Sequence, residues 1–468
     1  MEKKFLNNIV ILLKGSTIAQ IITFFCYLII SKLYSPTEFG EFSLIYSIIS
    51  IISVVATLKI DQAIPISRKD EEAQKILFSS ICISISIGIL SIIIAIILGR
   101  FIESYQSVRN YSLIIGVTVF LIGLKQTFTS YSVYKNQFQL NSNNQVTRAS
   151  VINVTQITFF KLGTFGLIIA QPLGHLIANL NYIKNYLPEL TMIKKFNIED
   201  FRKVLKNYKD FIFLLSPATL LNTLSANLPI LVFIIAFEGY LVGLYAFAYR
   251  ILLTPISMIA GAISQPFLKK MTENFSNKEY IDGFLSVLIS NLYFFITFPL
   301  VMLYLFSQDL FEIFLSNEWT NLYEVVNILI PWLIFIFLTG PISQIYTVYR
   351  KHNFNLIYNI FSLIIKFLVL IVCAAEFDFY TSLKIYVLVN ILLTIFQFNL
   401  LLNIASVKKI NVFYKIVTSS ISIITIVAPT IIVKYYLPEN YYLIIFVALS
   451  SCIIYLWRLI KKLRKVAI

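Results

Sequence analysis

The chain has 468 residues, of which 58% are hydrophobic and 13% charged, and its formal net charge is +15. A soluble domain carries about 25% charged residues, so this composition excludes a water-soluble globular protein and requires the bilayer as solvent. The four cysteines stand singly and only two histidines are present, so we expect no metal site.

Apolar runs follow one another along the whole chain. A helical span needs about 20 mostly apolar residues, and this criterion predicts about fourteen spans, with the fifth at 150–171 and the sixth at 174–190. We therefore predict an all-α membrane protein with about fourteen transmembrane helices. The first residues lack a small-residue cleavage site, and we interpret them as the start of the first helix rather than a signal peptide.

The basic residues are unevenly distributed between alternate loops. If the N-terminus is cytoplasmic, most of the 38 Lys and Arg residues fall in cytoplasmic segments, including the polar stretch before residue 150. The positive-inside rule then predicts a multi-pass membrane protein with both termini in the cytoplasm. Because such loops face anionic lipid headgroups, the net charge needs no nucleic-acid partner.

A basic stretch, KKFNIEDFRKVLKNYKDF, separates six predicted spans from eight. It is predicted to be an amphipathic helix that lies on the membrane. The turns SPTEFGEFSL and FEGYLVGLYAFAYR indicate an internal repeat, because Gly243 lies 203 residues after Gly40. Parallel repeats of this kind predict two lobes. The predicted organisation is an N-terminal lobe (1–190), a cytoplasmic linker (191–210), a C-terminal lobe (211–403) and two additional helices with a basic tail (404–468).

Four cations are predicted near the middle of their spans: Lys125, Lys161, Arg250 and Lys366. A buried ionisable residue costs several kcal/mol, so each is a candidate for function. Lys125 lies about ten residues, or roughly 15 Å, from its inner helix end, which is too deep for comfortable snorkelling. Lys161 and Lys366 are 205 residues apart, close to the repeat offset, and fall in the fifth and eleventh spans.

No acid is predicted at the same depth, so these cations should face water or pair with a mobile anion such as a diphosphate or an acidic sugar. The alternative is that they bind carbonyls and hydroxyls in a wet cavity without touching substrate. Asp61, at the inner end of the second span, is a candidate for ion coupling, or else for an end-of-helix salt bridge. Asn222, Ser225 and Asn227 of the seventh span are candidates for a sugar path, with helix–helix hydrogen bonding as the alternative.

Two stretches carry a family resemblance. KGSTIAQIITFFCYLIISKLYSPTEFGEFSLIYSI closely resembles the opening of the Wzx-type O-antigen and capsule flippases, and VGLYAFAYRILLTPISMIAGAISQPFLKKM resembles that family's entry into its second lobe. These flippases belong to the multidrug/oligosaccharidyl-lipid/polysaccharide exporter superfamily. The resemblance implies two six-helix lobes forming a V around a cationic cavity, with two extra C-terminal helices here. It also relates the family's cavity cations, helix by helix, to Lys161, Arg250 and Lys366.

The resemblance implies a flippase of the bacterial inner membrane that moves undecaprenyl-pyrophosphate-linked oligosaccharide repeat units from the cytoplasmic to the periplasmic leaflet by alternating access. The implied partners are that lipid-linked glycan, membrane lipids, and the polysaccharide polymerase and chain-length machinery. No cofactor is expected beyond an H⁺ or Na⁺ gradient.

Two other functions are weighed against a flippase. A multidrug-type exporter of the same superfamily is the first, although such exporters typically use intramembrane acids. A membrane polysaccharide polymerase or ligase is the second. Short outer loops and the lack of a nucleophile–base set disfavour such an enzyme, so we expect no catalytic residue.

Overall fold

The computed structural model describes residues 2–191, 196–274 and 277–466, and every regular element in these ranges is a helix. Fourteen of these helices have 18 residues or more, and they are numbered α1–α14 here. Their bounds are Glu2–Leu33 (α1), Pro36–Ser53 (α2), Asp70–Phe101 (α3), Ser112–Tyr134 (α4), Phe138–Thr158 (α5), Thr164–Asn185 (α6), Ser216–Ala236 (α7), Gly239–Asn274 (α8), Lys278–Phe314 (α9), Leu322–Ile342 (α10), His352–Glu376 (α11), Phe379–Ile404 (α12), Lys409–Tyr436 (α13) and Tyr441–Val466 (α14).

Eleven helices of the described ranges are long and apolar enough to cross a membrane. The three long helices outside that group, α2, α5 and α6, carry more polar residues. Many of their polar side chains are buried inside the protein rather than exposed to lipid, so these helices do not depend on apolarity alone. The prediction of an all-α membrane protein is confirmed.

The predicted bounds of the fifth and sixth spans are wrong. α5 ends at Thr158, a short turn follows, and α6 begins at Thr164. Gly163 permits this break, because its φ of 57° lies in the region that favours glycine. The polar stretch 138–149 predicts a loop from its composition, yet it forms the first half of α5, and Asn141 and Asn144 on it are buried.

The described chain divides into two compact units. The first contains Met1–Met258, Leu315–Trp319 and Asn359–Ser382, and the second contains Ile259–Phe314, Thr320–Tyr358 and Leu383–Ile468. These bounds follow packing rather than the repeat, so the predicted lobes 1–190 and 211–403 stay a prediction.

The linker packs on protein in the first unit. Residues 192–195 lie outside the described ranges, and Ile198–Asn207 forms a helix, the linker helix. Its Val204 is buried in a core that includes Phe78 of α3 and Tyr186, and Asp200 forms an ion pair with Lys75 over 3.0 Å. The apolar face of this helix therefore packs on protein, and the prediction that the helix lies on the membrane stays a prediction.

In the second unit, α13 and α14 pack on α9. Tyr455 of α14 stacks on Phe298 of α9 with ring centroids 4.1 Å apart, and its hydroxyl donates to the carbonyl of Phe295 over 2.9 Å. Thr430 and Ser451 share a hydrogen bond of 3.0 Å between α13 and α14. The two C-terminal helices are thus bound to α9 by both apolar and polar contacts.

Candidate functional site

Two cations and a histidine meet where α4, α5 and α6 pack together. Lys125 lies in the middle of α4, Arg148 in the middle of α5 and His175 in the middle of α6. The charges of Lys125 and Arg148 act on each other and on the buried His175. Neither cation joins an ion pair in the described ranges. Since like charges in a low-dielectric interior repel one another, an anion would stabilise these three residues, the α4–α6 cation cluster.

Two buried amide side chains, those of Asn144 and Asn179, each lie four residues, or about one helical turn, from a member of the α4–α6 cation cluster. Asn181 Nδ2 donates to Asn144 Oδ1 over 3.0 Å, and Asn179 Nδ2 donates to the carbonyl oxygen of Leu121 over 2.8 Å. Buried polar atoms are nearly always hydrogen-bonded in native proteins, so unpartnered ones mark a place of interest. The described residues offer no hydrogen-bond partner to four buried atoms here: Arg148 Nε, His175 Nδ1, Asn144 Nδ2 and Asn179 Oδ1.

Two members of this cluster are not predicted from the sequence. The polar stretch around Arg148 places this residue among the basic loop residues, and the scarcity of histidines argues only against a metal site, which leaves His175 without a predicted role. The spacing of Asn141, Asn144 and Arg148 at i, i+3 and i+7 is that of one helix face, and it is the signal that predicts a buried polar helix here.

The predicted position of Lys161 is wrong. It is exposed in the turn Phe160–Leu162 between α5 and α6, rather than in the middle of a span. Because α5 begins twelve residues earlier than predicted, at Phe138 rather than 150, Lys161 falls beyond its end. The proposed equivalence with Lys366, which does lie inside α11, is therefore lost, and the role of Lys161 in binding stays a prediction.

Arg250 of α8 lies against three aromatic rings of α2. Its guanidinium carbon is 5.5 Å from the ring centroid of Phe39, 5.0 Å from that of Phe42 and 4.4 Å from that of Tyr46. Cation–π contacts stabilise a guanidinium without using its N–H donors. No ion pair of the described ranges includes Arg250, so these donors are available for an anion.

Lys366 lies in α11 with a half-buried side chain and no ion pair among the described residues. The structure places it, Lys125 and Arg250 inside helices, as predicted from the sequence. No hydrogen bond, ion pair or ring contact of the described residues joins Lys125, Lys161, Arg250 and Lys366 to one another. Of the predicted cations, only Lys125 therefore belongs to the α4–α6 cation cluster.

Asp61 is buried in a short helix, Ile60–Ile66, between α2 and α3. The hydroxyl of Thr57 donates to Oδ1, and the hydroxyl of Ser130 on α4 donates to Oδ2 over 3.0 Å. The carboxylate is thus held by two hydroxyls, and no salt bridge of the described ranges includes it. Its role in ion coupling stays a prediction.

The three candidates for a sugar path lie on α7 but do not share a face. Asn222 is exposed and Ser225 is half-buried, and their spacing of three residues puts them on the same side of the helix. Asn227 points to another side, and its Nδ2 donates to the carbonyl oxygen of Thr223 on the same helix over 2.8 Å. Only the first two can therefore line one path together.

The repeat glycines meet at the starts of α2 and α8. A Cβ atom at Gly40 would overlap the carbonyl oxygen of Gly239, and a Cβ atom at Gly243 would overlap the carbonyl oxygen of Pro36. Gly239 lies 203 residues after Pro36, which is also the separation of Gly40 and Gly243. The two contacts are therefore equivalent under the repeat, and each half supplies the same positions.

An aromatic cluster seals the same end of the first unit. Trp319 is fully buried. Its ring centroid lies 4.4 Å from that of Phe247 and 6.0 Å from that of Phe39. Trp319 Nε1 donates to the carbonyl oxygen of Tyr34 over 3.1 Å, and the Ser316 hydroxyl donates to that of Ser31 over 2.9 Å. Helices α2 and α8 are thus closed against each other by backbone contact and by packed rings.

The model of the polysaccharide biosynthesis protein family matches residues 29–324, which is more than half of the chain. The chain belongs to this family. No curated protein matches the sequence. Family membership confirms the resemblance to polysaccharide flippases that the two quoted stretches indicated.

Solved structures share the fold of this family member. A lipid II flippase, MurJ, in an inward closed conformation is 17% identical, with 96% of this chain and 98% of that chain covered and a TM-score of 0.71. An inward-facing multidrug resistance MATE family transporter of the MOP superfamily is 17% identical over 85% and 96%, with a TM-score of 0.66. A MOP superfamily transporter from Pyrococcus furiosus is 16% identical over 88% and 95%, with a TM-score of 0.56. This member of the polysaccharide biosynthesis family therefore has the same fold as these transporters.

Proposed function

We propose that the chain is a flippase that moves undecaprenyl-pyrophosphate-linked oligosaccharide repeat units from the cytoplasmic to the periplasmic leaflet. The observation that carries the proposal is the α4–α6 cation cluster, in which Lys125 and Arg148 lie in mid-helix without a carboxylate partner among the described residues. The family match and the transporter fold support the same class of function.

Electrostatics favours an anionic substrate. Two neighbouring cations inside a membrane protein are costly unless an anion or water compensates them. A diphosphate carries several acceptor oxygens and can accept hydrogen bonds from both an ammonium and a guanidinium. Lys125 and Arg148 would therefore bind the headgroup while the lipid tail stays in the bilayer. Arg250, whose N–H donors are not used by its ring contacts, would bind an anionic group of the substrate at a separate point on its path.

In this mechanism the headgroup enters from the inner leaflet and pairs with the helix cations. Rocking of the two predicted lobes then exposes the headgroup to the outer side. The exposed Asn222 and the neighbouring Ser225 on α7 are suited to hydrogen-bond sugar hydroxyls along this path. Coupling to an H⁺ or Na⁺ gradient, with Asp61 as the coupling group, is part of the proposal, as is cooperation with a polymerase and its chain-length machinery.

The proposal is tested by surface glycan display in a flippase-null host that carries the cognate glycan genes. Wild type should restore the glycan, and Arg148→Ala, Lys125→Ala and Arg250→Ala should each reduce it by about tenfold or more, the effect of losing a charge-assisted contact. Lys184→Ala is the matched control, because Lys184 is an exposed lysine on α6. Protein levels in the membrane are measured in parallel.

Two results would contradict the proposal. If wild type fails to restore the glycan although it reaches the membrane, the chain is not a flippase for that lipid-linked unit. If wild type succeeds and the cation variants match Lys184→Ala, these cations do not bind the substrate. Lys366→Ala and Lys161→Ala in the same assay decide whether the remaining two predicted cations take part.

A further inference from the structure

A groove of about 700 Å³ lies in the second unit between α9, α13 and α14. On α14 its wall extends from Tyr441 to Cys452, which corresponds to about 16 Å of helix at 1.5 Å per residue. The hydrocarbon core of a bilayer is about 30 Å thick, so the groove spans about one leaflet. It begins at the chain segment that joins α13 to α14, which the loop charges predict to face the outside.

The wall of the groove is mostly apolar. Ile313, Ile445 and Leu449 are exposed by 70%, 56% and 59% of their surface, although they line a concave surface. The groove is open and apolar, and its length along α14 is about the thickness of one leaflet, so it suits an acyl chain. Further apolar residues complete the wall: Phe306, Leu310, Ile444 and Ala448.

The rim of the groove is polar and carries a net negative charge. Lys434 Nζ lies 2.6 Å from Asp309 Oδ2 and donates to the carbonyl oxygen of Leu305 over 2.6 Å. The same ammonium lies 4.5 Å from the ring centroid of Phe306, so its contacts within the protein are extensive. Glu312 accepts one hydrogen bond, from Gln308 Nε2 over 3.1 Å, and no ion pair in the described ranges includes it. Two carboxylates and one ammonium leave one uncompensated negative charge.

We propose that this groove binds a phospholipid with a primary ammonium in its headgroup, such as phosphatidylethanolamine. The ammonium pairs with Glu312, and one acyl chain lies along α14 between Tyr441 and Cys452. The acidic rim repels a diphosphate headgroup, so this lipid site is distinct from the proposed substrate path. The proposal therefore stands independently of the proposed function.

The test is native mass spectrometry of the full chain in detergent, equilibrated with equal amounts of phosphatidylethanolamine and phosphatidylglycerol that carry the same acyl chains. Wild type should retain about threefold more of the ethanolamine lipid, as expected for one partly exposed ion pair. Glu312→Gln should bring this ratio close to one. Glu376→Gln, which removes an exposed carboxylate outside the groove, is the matched control and should keep the wild-type ratio.

A second pair of variants tests the acyl chain. Ala448→Trp fills the groove and should reduce the retained ethanolamine lipid several-fold, whereas Ile424→Trp places the same ring at an exposed position of α13 outside the groove and should not. Equal retention of both lipids by wild type would overturn the proposal. The same holds if Ala448→Trp, eluting as a folded monodisperse protein, retains as much ethanolamine lipid as Ile424→Trp. Glu312→Gln alters an exposed side chain, so the charge test holds even if the tryptophan variant does not fold.

Discussion

Gly40 and Gly243, 203 residues apart, make reciprocal contacts: each fits against a backbone carbonyl at the start of the other's helix, and a Cβ on either would overlap it. The contact is isologous in the sense used for symmetric dimers, because each half presents the same surface to the other. It lies beside the buried Trp319, so the backbone contact and the ring packing together hold the starts of α2 and α8 against each other.

Gly40→Ala and Gly243→Ala should each force α2 and α8 apart. Overpacking of this kind costs about 1–3 kcal/mol, and the effect should be seen as a lower melting temperature and at least several-fold less surface glycan. Because both substitutions separate the same helix pair, the double variant should lose much less than the sum of the two single effects. Thermal unfolding in detergent and glycan display measure both quantities.

Gly261→Ala supplies the control on α8. A Cβ there meets open space, and alanine is the better helix former, so a gain of about 0.5–1 kcal/mol is expected. Loss of stability in Gly261→Ala equal to that in Gly243→Ala would show that the effect is not specific to the contact with Pro36.

Replacement of a cation of the α4–α6 cation cluster should lower transport without lowering stability. Lys125→Met or Arg148→Met removes one of two like charges and keeps much of the side-chain volume. The free energy of unfolding should therefore stay equal or rise, by up to about 4 kcal/mol, while glycan display falls. A fall in both melting temperature and transport would instead mean that the charge is structural and already compensated within the protein.

The aromatic rings of α2 should matter to Arg250 through its planar guanidinium. Arg250→Lys keeps the charge but loses the stacked plane, and it should lower transport several-fold, since such contacts contribute about 0.5–2 kcal/mol. Tyr46→Phe keeps a ring and should be near wild type, whereas Tyr46→Leu should resemble Arg250→Lys. Equal activity of the Phe and Leu variants would exclude a role for the cation–π contact.

The linker helix should depend on its attachment to α3. Tyr208 donates to Glu72 Oε1 over 2.6 Å, and burial together with the Glu72 carboxylate raises the pKa of Tyr208 to about 12. Tyr208→Phe should cost about 1–2 kcal/mol, as for a hydrogen bond to a charged group. Because the folded pKa is raised above the ordinary value of about 10, this contribution is complete below pH 10 and is lost as the pH rises through 12.

The difference in unfolding free energy between wild type and Tyr208→Phe should therefore stay constant between pH 7 and pH 9, a range that lies wholly below the ordinary pKa of tyrosine. Lys203→Ala, an exposed position on the linker helix, is the control and should change stability little. A difference that shrinks within this range would show that the hydrogen bond is not the source of the effect.

Much of the fold was predictable because the length and hydrophobicity of a segment can be taken directly from its residues, and together they indicate a spanning helix. Long apolar segments predicted α3 and α9–α14, and the repeat of Gly40 and Gly243 predicted equivalent turns. The start of α5 was not predictable by the same criterion, since Asn141, Asn144 and Arg148 are stabilised by neighbouring helices rather than by lipid. The error at α5 moved Lys161 into a span and Arg148 out of one.

The candidate site was accessible from sequence only in part. A cation within an apolar run, as at Lys125 or Arg250, is visible as an exception to its surroundings. Its neighbours across helices are not visible in this way, because His175 and the rings of Phe42 and Tyr46 come from distant positions whose proximity depends on tertiary packing. Likewise, the docking of the linker helix on α3 requires knowledge of the surface that its apolar face covers.

The polar character of α5 has a consequence for biosynthesis. A segment with Asn141, Asn144, Arg148 and Asn153 partitions poorly into lipid by itself, since each such side chain opposes insertion. In the folded protein α5 packs along α1 and α6, and Asn153 Nδ2 donates to Thr23 Oγ1 of α1 over 3.2 Å. We therefore expect α5 to remain in the bilayer only when α1 is already beside it. The order of synthesis meets this condition, because α1 leaves the ribosome before α5.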